Sequence, residues 1–224
     1  MSVDKFDLRA EVKEKERRAR QFLVEHDLDA LLLSRRDNFA WFTFGGDSTL
    51  VNSWAEGSAT LVITREKKYL VAWIMDAQRN MDEEVAGQGF EMIAPRAYSG
   101  GPVEEIQAIT RGMKVASDTP FPGAVLVGEE IIKMHYPLTE GEVARYEEIA
   151  RQSGEVLEKV AMAIEPGNSE LEIAAQLLKE YKERGFFVAV LLVGTDERIY
   201  KYRHPTPTAK RMEKYTLLAP AVSR

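Results

Sequence analysis

The 224 residues contain no cysteine, which excludes disulfides and thiolate metal sites and fits a reducing cytosol. No run approaches the roughly 20 apolar residues that a membrane span needs, and no apolar stretch follows a basic start. The expectation is a soluble, cytoplasmic chain with no membrane partner. A basic excess is also missing. The formal charge of −6 argues against a nucleic-acid partner, which would require a basic face. The sequence has no Gly-x-Gly-x-x-Gly, no Walker loop, no His-Glu-x-x-His and no Gly-x-Ser-x-Gly. Internal repeats and low-complexity segments are absent too. What the chain does have is enough apolar content, 45%, for a real core, in one large domain or two small ones.

The second half is the most regular part. Thr139-Glu140-Gly141-Glu142 reads as a capping box, and Val143, Tyr146, Ile149, Ala150, Val156, Leu157, Val160 and Ile164 follow at helical spacing until Pro166-Gly167. Ser169-Glu170-Leu171-Glu172 is a second box. Leu171, Ala174, Leu177, Leu178 and Tyr181 continue a stripe that Gly185 ends. Residues 186–193 are a nearly unbroken apolar run, the pattern of a strand covered on both faces. Its neighbours would have to come from elsewhere, so residues after about 139 are expected to be oligomerised or partly disordered.

Upstream, a helix is predicted over 7–26, with Leu8, Val12, Ala19, Phe22 and Leu23 inward and the charged group 13–20 forming a solvated face. Strands are predicted at 30–33, 59–64, 69–73, 91–94 and 114–117, all in one sheet, with helices at 76–85 and 102–110 between them. Strands alternating with helices indicate a small mixed sheet covered by helices. Asp118-Thr119-Pro120-Phe121-Pro122-Gly123 breaks both helix and ladder. A short amphipathic piece follows before His135-Tyr136-Pro137. The division expected is a first domain over 1–118, a linker over 119–138 and a second domain over 139–224.

Few side chains look chemical. Gly45-Gly46-Asp47-Ser48 reads as a plain turn, since no strand precedes it and no helix follows. Glu83-Glu84 and Glu129-Glu130 diverge on a helix and read as ordinary surface. Of the three histidines, His26 suits a helix C-terminus and His135 reads as packing or surface. His204 stands in Arg203-His204-Pro205-Thr206-Pro207-Thr208, a stiff polar turn soon after a buried strand and a flexible Gly194-Thr195-Asp196. Loops at strand ends commonly display catalytic groups. Spacing alone nonetheless favours a surface histidine over a functional one.

A resemblance bears on that choice. Pro137-Leu138-Thr139, Glu142-Val143-Ala144-Arg145-Tyr146 and Ile164-Glu165-Pro166-Gly167-Asn168-Ser169-Glu170-Leu171-Glu172-Ile173-Ala174 resemble the first two helices of the pita-bread domain. That domain belongs to the creatinase, prolidase and Xaa-Pro aminopeptidase family. Leu28-Asp29-Ala30-Leu31-Leu32-Leu33 and Asn38-Phe39-Ala40-Trp41-Phe42-Thr43-Phe44-Gly45-Gly46 are similar to the opening of that family's N-terminal domain. The fold implied is α/β: a small mixed-sheet N-terminal domain followed by an incomplete α+β pita-bread domain. By position, His204 falls near the family's active-site histidine, which contacts substrate in the peptidases and takes part in proton transfer in creatinase. An imidazole titrates near neutrality and can serve either role.

The same resemblance exposes departures. Family peptidases use two divalent metal ions, held by two aspartates, a histidine and two glutamates. The position aligned with the first aspartate is Ala219, which offers no oxygen ligand, and the chain stops at Arg224 before the others would occur. No cofactor is therefore expected in this chain. The function implied is the N-terminal portion of an Xaa-Pro aminopeptidase- or prolidase-like hydrolase, giving dimer contacts and active-site gating, inactive as given. Two alternatives remain open: a metal-independent, creatinase-like C–N hydrolase in full-length form, and a non-catalytic interaction protein that kept the fold. The partners implied are a second copy, as a homo-oligomer or dimer, and a peptide or small C–N substrate.

Overall fold

The computed structural model describes residues 8–224 except 97 and 99. It divides into a first unit, Met1–Thr139, and a second, Glu140–Arg224. The expected helix start at Asp7, and the inward side chain expected at Leu8, lie outside the described residues.

The first unit is built on a six-stranded sheet: β1 (Ala30–Arg35), β2 (Glu56–Thr64), β3 (Lys68–Ala72), β4 (Glu91–Ile93), β5 (Val115–Ser117) and β6 (Ala124–Leu126), in the order β4-β3-β2-β1-β5-β6. All five predicted strands are in it. β1 is central, antiparallel to β2 with Leu31 opposite Ile63, and parallel to β5 with Leu31 opposite Ala116. Its Ala-Leu-Leu-Leu run is buried throughout because both faces are covered. Leu31, Leu33, Leu61, Ile63 and Leu70 meet α1 (Leu8–Glu25), α2 (Arg36–Phe42), α3 (Ile74–Arg79) and α5 (Gly128–His135) on one face. Ala30, Leu32, Val62 and Val71 meet α4 (Pro102–Ile109) on the other. Each fully buried leucine or isoleucine contributes roughly 1.5–3 kcal/mol relative to exposure, so these two clusters carry the unit.

Several expectations need correction here. Residues 119–138 are not a linker. Residues 124–126 pair in parallel with β5 as an edge strand, and Ile131 of α5 is fully buried in the larger cluster. Pro120 and Pro122 only turn the chain between neighbouring strands, because proline breaks a ladder without ending a domain. The predicted helix over 76–85 begins two residues earlier and widens into a π-helical turn at Asn80–Glu84, where Asn80 Nδ2 donates to the Asp76 carbonyl at 2.9 Å. Lys15 is fully buried rather than solvated, with its ammonium 4.9 Å from the Trp41 ring centroid. Glu84 is not plain surface. It accepts from Asp47 N at 2.6 Å and from Arg79 Nη1 at 2.8 Å, tying down the Gly45–Ser48 turn.

A buried carboxylate completes this unit. The β1–β2 register shifts between Leu33 and Arg35, and the Ser34 and Arg35 amides there donate to a side chain. Asp118 takes both, at 2.8 and 2.9 Å, and accepts from Asn38 Nδ2 at 2.9 Å. Burial, the largest influence, pushes its carboxyl above the ordinary value against these hydrogen bonds.

The second unit packs its two long helices, α6 (Glu140–Met162) and α7 (Glu170–Glu183), on one face of an antiparallel pair, β7 (Phe187–Thr195) and β8 (Thr216–Ser223). The Ser169 box is complete: Ser169 Oγ accepts from Glu172 N at 3.2 Å and Glu172 Oε2 from Ser169 N at 2.7 Å. The core is Val156, Val160, Ile173, Ala174, Leu177, Tyr181, Phe186 and Val193. Val143, Tyr146, Leu171 and Leu178, expected inward, are exposed. β7 is covered on one face, not two. Val188, Leu191 and Val193 turn to the helices while Phe187 and Val190 remain 37% and 44% exposed.

Candidate active site

His204 lies in the segment between α8 (Glu197–Lys201) and β8, and its side chain is exposed. The backbone around it is fixed at several points. Val193 N donates to the Pro205 carbonyl at 3.1 Å, joining this segment to the edge of β7 opposite β8. Pro205 is buried against Gly194, where any Cβ would stand 2.6 Å from the proline Cγ. Only glycine admits that approach. Arg198 Nη2 donates to the Thr206 carbonyl at 2.8 Å.

These contacts converge on Glu170, the first residue of α7, whose side chain is fully buried. Oε1 accepts from Thr195 N at 2.8 Å, Thr195 Oγ1 at 3.0 Å and Arg198 Nε at 2.9 Å. Oε2 accepts from Thr208 N at 2.9 Å and Thr208 Oγ1 at 2.6 Å. Burial alone would raise this carboxyl. The hydrogen bonds from Thr208 and Thr195 together outweigh it and hold the group below its ordinary value. The start of a helix also favours the negative charge.

Asp196 is a second anchor. Its φ of 50° is unusual for a residue with a side chain, and its carboxylate holds the backbone there. It accepts from Glu213 N and Lys214 N, both at 2.9 Å, and from Tyr215 N at 3.3 Å. Those amides, led by Glu213, keep the acid below its ordinary value. Gly194-Thr195-Asp196, expected to be flexible, is instead held in place: Thr195 is fully buried and Asp196 nearly so. Ala219 sits in β8 opposite Leu192, so the His204 segment and the Ala219 strand border the two edges of β7.

Among the described residues no group of three or more His, Asp or Glu is placed to hold a metal ion. Glu170 and Asp196, the buried acids nearest the segment, have their oxygens committed to N–H and O–H donors. The described residues thus do not fit a two-metal centre. In the sequence Glu170 stands only as part of a capping box. The available signal was the pair of threonines, Thr195 and Thr208, bracketing a stiff turn.

Neither a family model nor a curated protein matches this sequence. Solved structures do. The chain is similar to an Xaa-Pro dipeptidase from Bacillus anthracis, with TM-score 0.69 and 15% identity over 94% of this chain and 60% of that one. It is similar to the prolidase from Pyrococcus horikoshii OT3, with TM-score 0.69 and 18% identity over 93% and 60%. An X-Pro aminopeptidase from Thermotoga maritima MSB8 gives TM-score 0.68 and 16% identity over 92% and 64%. At these identities the likeness establishes the fold: a mixed-sheet domain followed by part of a pita-bread domain. The chain spans about 60% of the length of the structures it matches.

Proposed function

We propose that this chain supplies the N-terminal domain and the opening of the catalytic domain of a prolidase- or Xaa-Pro aminopeptidase-like hydrolase acting in the cytoplasm. The observation that carries the reading is the fold match across more than nine-tenths of the chain to an Xaa-Pro dipeptidase, a prolidase and an X-Pro aminopeptidase. In this reading the first unit provides dimer contacts and helps gate the site. His204, on its fixed segment, contacts substrate near the scissile bond, where an imidazole can donate to developing charge or take a proton.

One observation favours a second reading. Ala219 stands where the resemblance places the first metal-bearing aspartate. A metal-independent hydrolase of a small C–N compound, creatinase-like, would need no ligand there. An interaction protein without chemistry would not either, but the tightly held His204 segment argues for a retained site.

The test is hydrolysis of Xaa-Pro dipeptides by the chain, fractionated by sedimentation velocity, with and without manganese, cobalt or zinc. We expect a dimer that releases no proline under any condition. A monomer would remove the proposed dimer contacts. Metal-dependent release that disappears in His204→Ala would overturn the assignment of this chain as inactive alone.

A further inference from the structure

We propose that Glu170 is the positioning residue for His204, holding the histidine-bearing segment in one conformation; the assignment rests on reading His204 as the substrate-facing histidine. The geometry is specific. One buried side chain reaches the segment from both directions along the chain: Thr195 and Arg198 precede His204, and Thr208 follows it. Arg198, oriented by Oε1 through its Nε, spends its Nη2 on the Thr206 carbonyl two residues after His204. Residues 195–208 are thereby closed into a loop whose two ends meet on one carboxylate, with Pro205 pressed onto Gly194 between them.

The chemistry of the donors explains why a carboxylate is needed. All five groups facing Glu170 are N–H or O–H donors. An ionised carboxylate only accepts, so neither of its oxygens opposes any of the five. A glutamine of the same size would turn an NH2 toward one set of donors and leave that end of the loop unpaired. Capping α7 does not explain this arrangement, because Ser169 and Glu172 already complete the capping box. A glutamate whose only task was helix formation would be expected at the surface.

The experiment uses the three histidines as reporters, His204 in the second unit and His26 and His135 in the first. Imidazole carbon–proton resonances of the full chain are compared in wild type, Glu170→Gln, Thr208→Val and Thr208→Ser. Thr208→Val keeps the side chain's size and removes one donor of five, so it keeps the question open if Glu170→Gln does not fold. We expect Thr208→Val and Glu170→Gln to move and sharpen the His204 resonance toward that of a free histidine. Exchange of the Thr195 and Thr208 amides should accelerate about tenfold or more. Thr208→Ser, which retains the hydroxyl, should match wild type, and His26 and His135 should not move. An unchanged His204 resonance in Thr208→Val and in folded Glu170→Gln would overturn the proposal. So would a change that appears only together with lost protection across α6 and α7, since that marks a purely structural residue. No substrate enters the measurement, so failure of the hydrolase reading would show as an unmoved His204 resonance in a titration with an Xaa-Pro dipeptide and not here.

Discussion

Replacing Glu170 with alanine should destabilise the second unit by roughly 3–5 kcal/mol, the usual cost of removing one partner from a buried charged network. Five donors lose their acceptor at once, and Arg198, largely buried, loses its counter-charge. Hydrogen exchange in α7 and β7 should show this as a loss of protection by orders of magnitude. A change below about 1 kcal/mol would mean that water replaces the carboxylate without cost. The effect should depend on acidity with a definite sign. Folded Glu170 titrates below its ordinary value of 4.5, so in that window the unfolded chain binds more protons. Its contribution is whole above pH 4.5 and is lost as pH falls through the depressed folded value. The gap between wild type and alanine variant should therefore close in acid.

Asp118→Ala should destabilise the first unit by roughly 2–3 kcal/mol. It strands the Ser34 and Arg35 amides at the register shift of β1 and the buried Asn38 amide. All three tryptophans, Trp41, Trp54 and Trp73, belong to this unit, so fluorescence-detected urea unfolding reads it directly. An unshifted midpoint would show that the bulge is held by sheet pairing alone. Here the pH dependence reverses. Burial raises folded Asp118 above its ordinary 3.8, so in the window above that value the folded chain binds the extra proton. Its contribution is whole below pH 3.8 and declines as pH rises, so the wild-type advantage should widen toward acid.

The sequence made the strand set legible because alternating burial writes itself into residue type. Leu31 and Leu33 serve one face of β1, and Ala30 and Leu32 the other. It made β6 illegible for the opposite reason. Three residues at a sheet edge, with Val125 and Leu126 exposed, leave no periodicity, and two neighbouring prolines mimic a domain break. In the second unit, Leu171 and Leu178 share the spacing of the true stripe, and only packing shows that Ile173 takes their place in the core. The candidate site divides the same way. A histidine on a stiff turn could be picked out from its proline neighbours. The carboxylate that holds the turn is 34 residues away in sequence, counted from Glu170 to His204, and its role arises from five contacts that no local pattern encodes.

The most direct test of the central claim, that His204 is the residue that meets substrate, is a titration of the chain with an Xaa-Pro dipeptide followed at the three histidine resonances. The account predicts a saturable shift at His204 alone, with His26 and His135 unmoved and no proline released. A His204 resonance that stays fixed at saturating peptide, or moves only as much as the other two, would contradict it.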